Sequence, residues 1–70
     1  MSEKLEFEGE VVHSIKGYFH VKVSENYITL CTLSGKIRQN SVKILVGDRV
    51  RIEVSEYDTT KGRIVYRIKR

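Results

Sequence analysis

The 70-residue chain holds one cysteine, no proline and no tryptophan, and phenylalanine and tyrosine together supply only 9% of it. The single thiol, Cys31, excludes an intrachain disulfide. His13 and His20 lie seven apart and no Cys-x-x-Cys pair is present, so the spacing of a metal site is missing as well. No apolar run approaches the roughly 20 residues of a membrane span. The opening Met-Ser-Glu-Lys-Leu-Glu-Phe-Glu is acidic and alternating, without an apolar run of signal-peptide length. These features predict a soluble, cytoplasmic protein with no membrane partner. Cys31 sits in the apolar stretch Ile28 to Leu33 and reads as a small core residue, which agrees with a reducing compartment.

Catalytic groupings are equally scarce. Asp48, Asp58 and His20 fall on different elements with no nucleophile–base spacing, and Gly47 and Gly62 are isolated turn glycines. No acid, base and nucleophile assemble, so the expectation is a protein that is not an enzyme and carries no cofactor.

Alternation of apolar and polar residues dominates instead, with the period of two that marks strands. Leu5 to Val12 opens the series, and a phase shift after Gly9, from Leu5 and Phe7 towards Val12, reads as a bulge there. Lys16-Gly17 is a turn. Phe19, Val21 and Val23 share one face of the next strand, and Tyr18, His20 and Lys22 share the other. Ser24-Glu25-Asn26 turns into Tyr27 to Leu33, where both rows contain apolar residues and the inward face stays undecided. From Ser34 to Leu45 the period lengthens, with Ile37, Val42 and Leu45 at helix-like spacing, and one short helix or helical turn is expected. Arg49 to Val54 is a strand, Tyr57 to Gly62 a polar turn, and Arg63 to Ile68 the last strand.

Seventy residues make one domain, spanning 1–70, that buries only about 60% of its unfolded surface. Without disulfide or metal, closing a sheet on itself is the economical way to build a core, because closure removes strand edges. Three strands, a short helix and two more strands is the element order of an OB-fold barrel. The fold class expected is therefore all-β, a five-stranded barrel with a short helix between strands 3 and 4.

The net charge of +4 is unevenly spread. Residues 1–30 carry three Lys against five Glu, a net of −2, and residues 31–70 carry ten Lys or Arg against four acids, a net of +6. The basic half divides in two. Lys36, Arg38 and Lys43 lie on the helical segment, with Asn40 and Ser41 able to hydrogen-bond phosphate and sugar. Lys61, Arg63, Arg67, Lys69 and Arg70 form the second cluster, on the last strand and the residues that flank it. If Ile64, Tyr66 and Ile68 share one face of that strand, Arg63, Arg67 and Lys69 share the other. Such clusters are the electrostatic footprint of a polyanion partner. Tyr18 and His20, outward beside Lys22, are candidate platforms for unpaired bases; for Tyr18 stacking and a plain surface role weigh equally.

Ser34-Gly35-Lys36-Ile37-Arg38-Gln39-Asn40, followed by Ile44 to Val50, resembles the bacterial translation initiation factor one family, including its chloroplast-encoded members. So do Tyr57 to Arg67 and the opening Leu5 to Val11. The resemblance implies an OB-fold protein that binds the small ribosomal subunit at its aminoacyl-tRNA site, touching ribosomal RNA and a neighbouring ribosomal protein. It implies occlusion of that site, cooperation with the other two initiation factors, a monomer, and neither catalysis nor cofactor. On matching positions it makes Lys36, Arg38, Asn40, Lys43, Lys61, Arg63 and Arg67 the RNA-contacting residues. Three positions depart from the pattern: the loop Ser14 to Gly17 is short and lacks proline, Gln39 stands where a basic residue is usual, and Thr32 where histidine or arginine is common. The competing readings are a free-standing single-strand RNA binder and a protein-binding barrel.

Overall fold

The computed structural model describes residues 4–68, so the expectations for Lys69 and Arg70 lie outside the described residues. The elements are β1 (Lys4–Ile15), β2 (Tyr18–Ser24), β3 (Tyr27–Leu33), α1 (Gly35–Gln39), β4 (Arg49–Ser55) and β5 (Asp58–Arg67). The strands form a closed barrel in the order β1-β2-β3-β5-β4, the expected OB-type architecture with its helix between β3 and β4. Pairing is antiparallel except between β3 and β5, whose parallel pairing completes the closure. Among the described residues no helix is long and apolar enough to cross a membrane.

Closure rests on β1, which pairs with β4 through Lys4 to Glu10 and with β2 through Glu10 to Ile15. Gly9 sits at the changeover. A Cβ there would stand 2.6 Å from the Lys22 carbonyl oxygen and 2.7 Å from Val21 Cγ1. Only a residue without a side chain lets the two strands approach so closely. The chain does not shift phase at Gly9, contrary to the sequence expectation. Val11, not Val12, enters the core, and the bulge falls three residues later: Val11 pairs with Val21 and His13 with His20, leaving Val12 as the extra residue. Two adjacent valines made the two rows indistinguishable by hydropathy.

Val11, Val21, Val50, Ile52, Val54 and Ile64 form the centre of the core, with Phe19, Cys31 and Ile44 beside them. In β3 the inward row is Thr29 and Cys31, while Ile28 is 51% exposed. Burial pushes the Cys31 thiol up to about 11, against a smaller opposing effect of the neighbouring Thr29 side chain.

Two further boundaries differ from expectation. The helix stops at Gln39 because Ser41 adopts φ +54, and the chain after it buries Ile44 and leaves Leu45 46% exposed. The segment read as a turn from Tyr57 to Gly62 is largely strand: β5 begins at Asp58, opposite Ser55 across a tight hairpin. Asp58 Oδ1 accepts from the Thr60 hydroxyl at 2.5 Å and from the Thr60 amide at 3.1 Å. Those bonds hold its carboxyl below the usual carboxylate value.

Gly9→Ala should lower stability by about 2 kcal/mol through overpacking, while Gly35→Ala, whose Cβ meets nothing within 4 Å, should be near neutral. Urea melts of the two variants compare them directly. Because the Cys31 thiol is neutral to higher pH when folded than when unfolded, its contribution to stability should be constant below about pH 9. It should fall as pH rises from there towards 11. Cys31→Ser melts across that range should lack the alkaline decline.

Candidate nucleic-acid interface

The helix is short, and its position is fixed at both ends. Ser34 is its N-cap: the Ile37 amide donates to Ser34 Oγ at 3.3 Å, and the Ser34 amide donates to the Ile64 carbonyl at 3.0 Å. Ile37 is buried beneath it, which turns Lys36 and Arg38 outward on either side. After the left-handed Ser41 the chain passes Lys43 and closes a turn at Asp48. There the Leu45 amide donates to Asp48 Oδ2 and the Asp48 amide to the Leu45 carbonyl, both at 3.0 Å. That turn is fastened to β1: the Gly47 amide donates to the Val11 carbonyl at 2.7 Å, and the Val11 amide to the Asp48 carbonyl at 2.9 Å.

Arg67 joins this end of the barrel. Between Arg51 opposite Tyr66 and Ile52 opposite Ile64, β5 has one residue too many, Val65. The bulge reverses the phase of the strand end. Tyr66 emerges 58% exposed instead of sharing the inner face with Ile64, and Arg67 leaves the face of Arg63. The Arg67 guanidinium donates to the Lys43 carbonyl at 3.1 Å, tying β5 to the loop after the helix. The face shared by Arg63 and Arg67 in simple alternation is therefore not formed. In its place Lys36, Asn40 and Arg67 rim an open groove of about 310 Å³ with Val42, Val65 and Tyr66. An apolar floor with cations and an amide at its edge suits a flat base carrying a phosphate.

Lys61 and Arg63 belong to a second surface. On the outer face Lys61 pairs across to Leu30 of β3, and Leu30 to His20 of β2; Thr32 pairs with Arg63, and Arg63 with Glu53 of β4. Tyr18, 50% exposed, follows His20 on the same face. Register thus brings the aromatic pair Tyr18 and His20 and the basic pair Lys61 and Arg63 onto one strip, which the sequence placed on separate elements. A groove of about 260 Å³ beside it is lined by Lys4, Thr32, Ser55, Lys61 and Arg63, with Glu53 in it.

The two surfaces differ electrically. Ion pairs among the described residues join Lys4 to Glu53, Lys22 to Glu25 and Arg51 to Glu8, all at the surface. Lys36, Arg38, Lys43, Lys61, Arg63 and Arg67 are in none of them, and of these Arg63 faces a carboxylate, Glu53, on the neighbouring strand. Sequence reading left open whether Tyr66 stacks on a base, with alternation placing it on the face of Ile64, and passed over Arg51 beside it, whose Cζ lies 6.0 Å from the Tyr66 centroid. The outward phase of Arg51 in β4 was readable; the bulge exposing Tyr66 was not. Among the described residues no three metal-ligating side chains converge.

The model of the RsgA N-terminal domain family matches residues 8–66. The chain is 52% identical over 66 residues to the chloroplastic translation initiation factor one of Oryza sativa subsp. indica, covering 93% of this chain and 62% of that one. The same name, identity and coverage of this chain recur in Hordeum vulgare, with 58% of the relative covered. The chain thus spans about three-fifths of the length of these relatives. Among solved structures, translation initiation factor one from the Wolbachia endosymbiont strain TRS of Brugia malayi superposes with a TM-score of 0.80 at 39% identity, covering 94% of this chain and 79% of that one. YjeQ from Thermotoga maritima gives a TM-score of 0.74 at 35% identity, over 94% of this chain but 23% of that one.

Ser34→Ala should lower stability by about 1 kcal/mol by removing the cap. Amide exchange at Ile37 should quicken more than exchange in β2, which hydrogen-exchange NMR resolves residue by residue.

Proposed function

Since the chain belongs to the translation initiation factor one family, and its barrel also to the RsgA N-terminal domain family, we propose that it is a translation initiation factor acting on the small ribosomal subunit. In this reading it is a cytoplasmic monomer that binds the aminoacyl-tRNA site through ribosomal RNA and a neighbouring ribosomal protein. It occludes that site while the other two initiation factors act, and it works by binding alone.

The observation that carries the proposal is the helix end of the barrel. Among the described residues Lys36, Arg38 and Lys43 stand there without a carboxylate partner, and Arg67 is brought to them from β5 by its bond to the Lys43 carbonyl. Neutralising phosphates with such cations releases condensed counterions, which supplies affinity for folded RNA without requiring sequence. Asn40 and Tyr66 on the groove rim provide a hydrogen-bonding amide and a ring for an unpaired base. Lys61, Arg63, Tyr18 and His20 extend the contact along the strip, and Lys69 and Arg70 continue the basic sequence of β5. Thr32 between Tyr18 and Arg63 offers neither charge nor ring, so the strip is weaker in its middle. The short β1–β2 turn at Lys16 and Gly17 limits reach on that side.

The family model matched is not one of initiation factors, which keeps a second reading open, a barrel that binds RNA through the same cations independently of initiation. Cosedimentation separates the two. An initiation factor should bind small subunits saturably and more tightly when the other two factors are present. The initiation-independent barrel should show no such dependence, and a single-strand binder should prefer unstructured oligonucleotides. The Arg38→Glu, Arg67→Glu double variant should bind subunits at least tenfold more weakly, with the slope of log affinity against log salt reduced by about two. Unchanged affinity and slope in a folded double variant would refute the assignment of the helix end.

A further inference from the structure

We propose that His13 and His20 form a chelating site for a late first-row divalent metal ion such as zinc or nickel. The sequence offers no reason for it, since seven residues separate the two and no third ligand is nearby. The bulge at Val12 creates it. Had β1 continued in the register of Val11 with Val21, Val12 would stand opposite His20; with one extra residue, His13 takes that place. Both imidazoles then project from the outer face of adjacent antiparallel strands.

Their ring centroids lie 5.5 Å apart, with the planes tilted by 48°. Two imidazoles sharing one tetrahedral ion at about 2.0–2.1 Å have centroids roughly 5 Å apart, so the pair needs only a small rotamer adjustment to close on a metal. His20 Nδ1 is buried and has no hydrogen-bond partner among the described residues. An ion ligated by His20 would give the ring a polar partner that the described residues do not supply. Imidazole suits zinc, nickel and copper, and the absence of carboxylates from the pair argues against magnesium or calcium. Ile15 and Tyr18 flank the rings along the strands, and Leu30 separates them from Lys61 on β5. On the other side Lys22 is opposite Glu10 and paired with Glu25 at 3.9 Å, so no uncompensated cation borders the site there. Two protein donors leave the other coordination positions to water.

The test is titration of the full chain with zinc and, separately, nickel, in the absence of RNA. At roughly ten times the dissociation constant, zinc should raise the melting temperature by about 6 °C, and chelator should reverse the shift. The shift should vanish in His13→Asn, an exposed position where folding is not at risk, and in His20→Asn. Nickel should broaden NMR signals of His13 and His20 first, then those of Tyr18 and Leu30. No shift in the native sequence, an equal shift in His13→Asn, or broadening centred elsewhere would overturn the proposal.

Discussion

Everything in this barrel depends on one strand serving two partners. β1 pairs with β4 before Glu10 and with β2 after it, and the turn between these roles passes through Gly9, pressed against the Lys22 carbonyl. A side chain there would push the strands apart where the sheet must curl most tightly. Without closure, β1 and β4 would be left with open edges, and the small core, centred on Val11, Val21, Val50, Ile52 and Ile64, would face solvent. A chain with neither disulfide nor metal in its core has no other staple.

Closure also sets the surface. Gly62, on β5, repeats the device: its Cβ would stand 2.7 Å from Val54 Cγ1 and 2.8 Å from the Glu53 carbonyl. The excess length of individual strands is absorbed in bulges at Val12, Val23 and Val65 and in a longer slip at Thr59 to Lys61, where the paired registers shift. Each reverses the phase of the strand beyond it. The bulge at Val12 sets His13 opposite His20; the bulge at Val65 exposes Tyr66 and sends Arg67 towards the helix. The positions of functional side chains are therefore consequences of how the barrel closes.

This explains what could be read from the sequence. Alternation in β2 and β4 is unambiguous, because apolar Phe19, Val21 and Val23, and Val50, Ile52 and Val54, are separated by polar neighbours. Turn residues at Lys16-Gly17 and Ser24-Glu25-Asn26 marked the hairpins, and the two basic clusters were visible as runs without acids. The bulges at Val12, Val23 and Val65 were not legible, since valine is accepted by hydropathy on either face, and the slip at Thr59 to Lys61 lay in a polar stretch that reads as a turn. The helix end was hidden for another reason: Ser41 adopts φ +54, a conformation usual for glycine and asparagine, so nothing in the local residue types announced it. The strip joining Tyr18 and His20 to Lys61 and Arg63 depends on the parallel pairing of β3 and β5, a contact with no local signal.

The distribution of carboxylates decides how the two basic surfaces divide the work of binding RNA under the proposed function. A cation already facing an acid has part of its field cancelled, and binding a phosphate then competes with that neighbour. Arg63 faces Glu53, and Lys4 at the edge of the same groove is 3.9 Å from it. Among the described residues the helix end carries no such compensation, and Arg67 is held there through a backbone carbonyl, a partner that fixes its position without neutralising it. At physiological ionic strength fields decay over about 8 Å, so local compensation matters more than the total of +4. Under that proposal affinity should concentrate at the helix end. The strip, where Arg63 is compensated and flat side chains stand beside it, should contribute orientation through stacking, weakest at Thr32, where a neutral side chain interrupts the row.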